Sequence, residues 1–305
     1  AHEIQGILAH ENSFNKVGLD HVLLVRVAST AVATHMLGGT REQIIDALSQ
    51  AWADGSSLRV YRHAPNAGSR KSWAAGDATS RAVRLAMMTM KGEMGMPSVL
   101  STPVWGFYDV SFKGREFSFS KSYGSYVMEN ILFKISYPAE FHAQTAVECA
   151  VLLYPEIQDK LDKIKRIEVT THESALRIID KTGVLDNPAD RDHFMQYMLA
   201  VALTQGDLVA EFYEDTFHQN NPLIDELRDK MVLKEDKRYS QDYLADEKRS
   251  IGNALQVFFK DGSQTDKVEV EYPIGHRHRR KEGIQLLERK FLNSLKSTYY
   301  KEHSD

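Results

Sequence analysis

One cysteine, Cys149, stands among 305 residues, and that scarcity excludes several kinds of chemistry. A single thiol cannot build an internal disulfide framework, a cysteine-based zinc site or a four-cysteine iron–sulfur cluster. It suits a reducing compartment. No run of about 18 apolar residues occurs, so the sequence offers no membrane-spanning helix. Neither sign of charge dominates: 38 Lys and Arg stand against 42 Asp and Glu, a formal net charge of -4. The basic excess of a nucleic-acid binder is therefore missing. Also absent are the GxGxxG dinucleotide fingerprint, the phosphate-loop Gly-Lys-Ser/Thr and the GxSxG elbow of a serine hydrolase. What remains is ordinary for a globular chain, 42% hydrophobic and 26% charged, with a length that suggests about two domains.

The hydrophobic pattern is helical over residues 1–100. Ile4, Ile7 and Leu8 take helical spacing with no capping residue before them, so the sequence is expected to begin inside a helix, with any targeting peptide ahead of Ala1. His21–Leu37 is too short to cross a bilayer and too apolar for a surface, which predicts a buried core helix. Gly38-Gly39 ends it, and Thr40 with Gln43 has capping-box spacing for a helix over Arg41–Asp54. An irregular stretch with Pro65, Asn66, Gly68 and Ser69 leads to a helix over Asp77–Lys91, with Asp77 as its N-cap. After Pro97 the texture mixes. Val110–Phe112 and Glu116–Phe119 read as a hairpin around Lys113-Gly114, and Ile164–Thr171 as a half-buried strand. His142–Tyr154 reads as a helix, and Asn187-Pro188 as the start of a long one to Thr204. Leu255–Phe259 and Val268–Tyr272 form the strongest hairpin pattern, around Asp261-Gly262. A last amphipathic helix covers Glu282–Leu295. The fold class expected is α+β: a mainly helical domain with an α+β insert. The boundaries expected are a helical domain over 1–125, an α+β lid over 126–275 and a return to the helical domain over 276–305.

Three clusters could carry chemistry. Arg62, His63, Arg70, Lys71 and Arg81 crowd a loop that runs into a helix start, where positive charge and free N–H groups suit a carboxylate-rich small molecule; the plainer reading is a solvated basic loop. Lys134 sits inside an apolar run, either snorkelling or held for a purpose. His142, just ahead of a helix, reads first as a locally bonded helix-start residue. His193 and Tyr197 share a helix face, and the Tyr197 hydroxyl, at the head of an apolar stretch, needs either a buried partner or a ligand. His276 and His278 lack the carboxylate or cysteine company of a metal site and belong to the basic run Arg277–Lys281, read as a solvated face or a partner-helix terminus.

Taken together, these residues resemble the MmgE/PrpD family. The resemblance rests on residues 1–22, Tyr61–Asn66, Arg70–Arg81, Val104–Tyr108, Phe133–Gln144, Asn187–His193 and Glu271–His276, nearly the whole sequence. It implies a helical domain and a smaller α+β lid with the active site in the cleft between them, and a further helical segment bearing site residues ahead of Ala1. By resemblance, Lys71, Lys134 and Tyr197 match site positions, and His21 matches a site histidine across a gap. The implied reaction removes water from 2-methylcitrate to give 2-methyl-cis-aconitate in propionate catabolism, with citrate as a second substrate to test. Lys71 and Lys134 would clamp carboxylates, His63 or His21 would serve as base or acid, and Tyr197 would donate a proton or orient the substrate. Arg62, Arg70, Arg81 and His142 complete the expected binding set. No metal and no cofactor are expected. The partners expected are a small tricarboxylate and a second copy of the chain in a homodimer, with no nucleic acid and no membrane. The compartment is the cytoplasm if the source is bacterial and the mitochondrial matrix if it is eukaryotic. The alternatives are a cis-aconitate decarboxylase or related-acid epimerase of the same family, and a non-catalytic fragment.

Overall fold

A computed structural model describes residues 1–54, 57–62, 68–132 and 134–298 of the chain. It forms two compact units, residues 1–131 and 132–305. The first is helical and the second mixes helices with a four-stranded sheet, the α+β class expected from the residue pattern.

In the first unit, α1 (His2–Glu11) leads to α2 (Val22–Met36), in which no residue from Val22 to Thr34 is exposed. Its single cation, Arg26, is buried because it donates to the Ala51 carbonyl at 3.0 Å and the Asp54 carbonyl at 3.1 Å. Those carbonyls close α3 (Arg41–Ala53) and have no helical partner of their own. At its other end α3 opens on the expected capping box of Thr40 and Gln43.

The next helix, α4, starts earlier than expected, at Arg70 and not at Asp77, and runs to Met90. Asp77 therefore lies inside it, paired with Arg70 and Arg81. The reason is an alanine seam. Ala74, Ala78, Ala82 and Ala86, all buried, repeat every four residues and give α4 a smooth face along α2. Alanine has the highest helix propensity, and the seam carries the helix back through Gly76.

The hairpin expected around Lys113-Gly114 is replaced by a short helix, α5 (Phe107–Ser111), closed by Lys113 and Gly114 at φ +59° and +70°. Phe107, Phe112 and Phe117, five residues apart, converge with Phe14 and Trp52 on one aromatic core. That convergence overrides the strand-like alternation. The unit ends with α6 (Tyr126–Asn130).

The second unit is built on α7 (Gln144–Ile157), β1 (Ile164–Thr171), α8 (Glu173–Ile179), α9 (Pro188–Arg191), α10 (Met195–Gln205), α11 (Asp215–Asn220), α12 (Leu223–Arg228), β2 (Met231–Glu235), α13 (Lys237–Leu244), β3 (Asn253–Phe259), β4 (Val268–Val270) and α14 (Arg280–Thr298). The sheet order is β2-β1-β3-β4, with β1 parallel to β2 and the other pairs antiparallel. On β1, Ile167, Val169 and Thr171 alternate into the core. A register shift between Ile164 and Arg166 turns Ile164 to the same side.

Against this sheet packs α7, and α10 lies against α7 and α12, with every residue of α10 from Met195 to Leu203 buried. Such a helix is apolar all round because its whole surface meets protein. It ends at Gly206, whose φ is +70° and where a Cβ would come within 2.6 Å of the Tyr154 ring.

Two expectations change here. The long helix from Asn187 to Thr204 is broken. Asn187 caps α9 as expected, but Arg191 is drawn into the core to donate to the Tyr213 carbonyl at 2.7 Å and pair with Asp215. The chain straightens at Phe194, and α10 begins afresh at Met195. The β3–β4 hairpin forms, but Leu255 pairs with Val268, and the turn at Asp261-Gly262 is closed by the Phe259 amide, which donates to the Ser263 carbonyl at 2.8 Å.

Candidate functional site

In the first unit two of the candidate residues, His21 and Arg62, meet a carboxylate that the sequence pattern did not single out. Asp20 lies just before α2 with its side chain fully buried. It accepts from the Val22 amide at 3.0 Å and from Arg62 Nε at 2.5 Å. Arg59 approaches it at 3.6 Å and His21 Nδ1 at 3.5 Å. Burial alone would raise the Asp20 carboxyl; the Val22 amide, the Arg62 guanidinium and the charges around it bring it below its ordinary range.

His21 is open on one side, with 56% of its side chain exposed, and on the other it meets Asp20 and Arg59. Its packed surroundings first, and the two guanidiniums after them, hold the imidazole below its ordinary value, against the pull of Asp20. A neutral imidazole with one open edge is suited to accept a proton.

Arg62 is thus bound to Asp20. Arg70 stacks on Trp73 at 4.3 Å and donates to Asp77 at 3.0 Å. Arg81 meets Asp77 at 3.2 Å and Asp54 at 3.7 Å. A hollow of about 410 Å³ is lined by Arg26, Tyr61, Arg70, Asp77 and Arg81, and a second of about 590 Å³ by Arg81, Arg84, Asp54 and Asp77. Lys71, half-buried, stands in the first turn of α4. His63 lies outside the described residues.

In the second unit Lys134 is exposed, and its carbonyl accepts from Lys290 Nζ at 2.8 Å. The residues that follow, Ile135 to Pro138, line a hollow of about 740 Å³ together with Asp207, Arg289 and Lys290. Tyr197 is fully buried on α10. Its hydroxyl donates to the Phe212 carbonyl at 2.6 Å, so it has found its partner in the backbone, and burial raises its pKa. His193 meets Asp192 at 2.7 Å.

His142 is held by Glu140, whose carboxylate accepts from the His142 amide at 2.8 Å and lies 2.9 Å from Nδ1. Its Nε2 lies 3.3 Å from the Tyr243 hydroxyl. His172, fully buried at the end of β1, stacks on Tyr243 with ring centres 4.7 Å apart. Glu140, His172 and Tyr243 escaped sequence reasoning because they come from three elements about 30 to 100 residues apart. Only Glu140, two residues from His142, had a local signal.

His276 caps the turn that opens α14 by accepting from the His278 amide at 3.2 Å. Among the described residues no group of three or more His, Cys, Asp or Glu could hold a metal ion. Cys149 faces the Asn253 carbonyl in the core, and burial pushes its thiol up to about 12.

Burial first, and then the charge of His142, hold the His172 imidazole down at about 4, with Glu140 pulling the other way. An unfolded histidine titrates near 6.5. The unfolded chain therefore gains protons that the folded one refuses, and stability falls as the pH drops from about 6.5 toward 4. His276, also at about 4 through burial and then His278, adds to the same decline. His172→Phe is expected to flatten part of it; urea midpoints at pH 7 and pH 5 give the comparison.

Residues 1–120 match the MmgE/PrpD N-terminal domain and residues 137–305 the MmgE/PrpD C-terminal domain. The chain belongs to the MmgE/PrpD family. It is 60% identical over 303 residues to a mitochondrial 2-methylcitrate dehydratase of Yarrowia lipolytica and 61% identical over 298 residues to a 2-methylcitrate dehydratase of Escherichia coli. It is 59% identical over 305 residues to a probable 2-methylcitrate dehydratase of Saccharomyces cerevisiae. These matches take in 98, 97 and 98% of this chain but 58, 62 and 59% of the relatives, so the chain spans about three fifths of their length. Among the described residues no helix is long and apolar enough to cross a membrane.

Proposed function

We propose that this chain works as a 2-methylcitrate dehydratase, a hydro-lyase that removes water from 2-methylcitrate to give 2-methyl-cis-aconitate. The observation that carries this is the identity of 59 to 61% with three dehydratases of that name across nearly the whole chain. The chemistry of the residues is compatible with it. A C–H next to a carboxylate is weakly acidic, so its removal needs a positioned base and cations that stabilise the charge built up on the carboxylate.

We assign the carboxylate contacts to Lys71 and Lys134, and to Arg70 and Arg81 beside the hollows they line. His21, held neutral with one edge open, is the base; His63 is the other candidate. Arg62 acts through Asp20, and Tyr197 supports the second unit's interior. The substrate is a small tricarboxylate and the assembly a homodimer, as the family resemblance suggests. The compartment follows the host, cytoplasm in bacteria and mitochondrial matrix in eukaryotes.

The test uses the complete enzyme with 2-methylcitrate, citrate and cis-aconitate in separate reactions, following ultraviolet absorbance of the enoate and release of carbon dioxide. Enoate forming from 2-methylcitrate without carbon dioxide is the expected result. Carbon dioxide from cis-aconitate, with no enoate from 2-methylcitrate, would replace this reading with a decarboxylase.

A further inference from the structure

The hollow of about 410 Å³ in the first unit has two kinds of lining, and its volume is in the range of small-molecule sites. The first kind is charged. Among the described residues that line it, three guanidiniums, of Arg26, Arg70 and Arg81, face two carboxylates, of Asp54 and Asp77, which leaves one positive charge in surplus. The Arg70 guanidinium is fixed in direction: it donates to Asp77 at 3.0 Å and lies 4.3 Å from the Trp73 ring centre and 5.8 Å from that of Tyr61. The neighbouring hollow shares Asp54, Asp77 and Arg81 but adds only Arg84, and there the charges of the described residues cancel. One surplus cation suits one carboxylate, not three.

The second kind of lining is aliphatic: Leu58, Val60, Ala74 and Ala78. The two alanines are buried and small. Leu58 and Val60 remain 64% and 75% exposed, so the core makes little use of them. Their backbone is nevertheless pinned. Leu58 bridges to Leu19, the Asp20 amide donates to the Ser57 carbonyl at 2.7 Å, and the Arg59 amide donates to the Gly18 carbonyl at 3.1 Å. The Arg62 amide then closes the turn over Val60 and Tyr61 by donating to the Arg59 carbonyl at 3.0 Å. Single exposed aliphatics are ordinary on a protein surface. Two of them on a pinned segment at the edge of a cationic hollow make a preorganised apolar contact.

One end of 2-methylcitrate combines these two chemistries. The carbon that loses its proton carries both a carboxylate and the methyl group, and citrate has a hydrogen in place of that methyl.

We propose that this hollow receives the methyl-bearing end of 2-methylcitrate, with its surplus positive charge on the carboxylate and Leu58 and Val60 on the methyl, and that these two side chains set a preference for 2-methylcitrate over citrate. The inference rests on the dehydratase reading above and leaves the proton transfers to the groups already assigned. A single methyl in an apolar contact is worth about 10- to 200-fold in discrimination, and a contact open to solvent belongs at the lower end.

The test places 2-methylcitrate and citrate together in one reaction of the complete enzyme, so that the ratio of their kcat/KM values is read directly. Leu58→Ser combined with Val60→Ser is expected to lower that ratio about tenfold, chiefly through KM for 2-methylcitrate. Its melting temperature is expected to stay close to wild type, because both side chains are exposed. Val60→Thr keeps the shape and exchanges a methyl for a hydroxyl; it is expected to move the ratio the same way by a few-fold, and it serves if the double variant does not fold. A ratio within twofold of wild type in every folded variant overturns the proposal. So does an equal loss for both substrates, which would mark a contact with something other than the methyl. If citrate turns over too slowly to score, KM for 2-methylcitrate decides: a tenfold rise with kcat within a few-fold supports the proposal, and a value within twofold of wild type overturns it. A complete wild-type enzyme inert toward 2-methylcitrate would sink the functional reading itself, which separates the two failures.

Discussion

Lys134→Ala and Lys71→Ala, each made in the complete enzyme, are expected to lower kcat/KM for 2-methylcitrate at least a hundredfold. The estimate comes from the size of the effect asked of each cation. A charge-assisted hydrogen bond is worth about 1.5–3 kcal/mol in binding. Aimed at charge that grows in the transition state, its removal costs on the order of 10²–10³ in rate. Lys134 is exposed, so its truncation is expected to leave folding stability within about 0.5 kcal/mol of wild type. Thermal unfolding of the same sample thus separates a lost contact from a lost fold. Arginine at either position is not expected to restore the rate, since a planar fork does not place its charge where an ammonium does. Turnover within threefold of wild type in both alanine variants would remove these lysines from the site.

Asp20→Ala is expected to have the largest effect on stability, about 3–5 kcal/mol, read from urea unfolding at pH 7. The side chain is fully enclosed and receives the Val22 amide and the Arg62 guanidinium, with Arg59 close by. Removing it leaves a buried donor without an acceptor and two nearby cations without a counter-charge. Asp20→Asn keeps an oxygen for the Val22 amide and is expected to lose less. The pH dependence has a definite sign. The folded carboxyl titrates below its ordinary 3.8, so its contribution is complete at neutral pH and is lost as the pH falls through the lower folded value. A loss under 1 kcal/mol would mean that water reaches this carboxylate.

The sequence spoke clearly wherever one local rule was unopposed. Thr40 and Gln43 specify a capping box without outside help, and the structure has it. Ile164–Thr171 is strand-like in composition and alternation, and β1 has those bounds. It misled where tertiary contacts outbid local ones. Arg191 leaves its helix for the Tyr213 carbonyl and so splits α9 from α10. Phe107, Phe112 and Phe117 abandon alternation for a shared aromatic core.

For the candidate residues the same division holds. The cationic loop before α4 was visible as a run of Arg and Lys. That Arg62 meets Asp20, and that Arg70 and Arg81 meet Asp77, was not visible, because a pattern of charges shows no partners. An apolar stretch behind Tyr197 calls for a buried partner or a ligand for its hydroxyl without naming either, and the hydroxyl donates to the Phe212 carbonyl.

The alanine seam of α4 makes that helix a lever. Twenty-one residues give a rod about 30 Å long, and Arg70 and Lys71 sit at its tip. Four methyl groups are the bearing on which it rests against α2. One larger side chain at Ala82, near the middle of the rod, would act as a wedge and swing the tip by on the order of 1 Å, which on the proposed reading of Arg70 and Lys71 as substrate contacts would cost about 10² in rate. On that reading, larger side chains at these four positions would lower turnover even where the helix still folds.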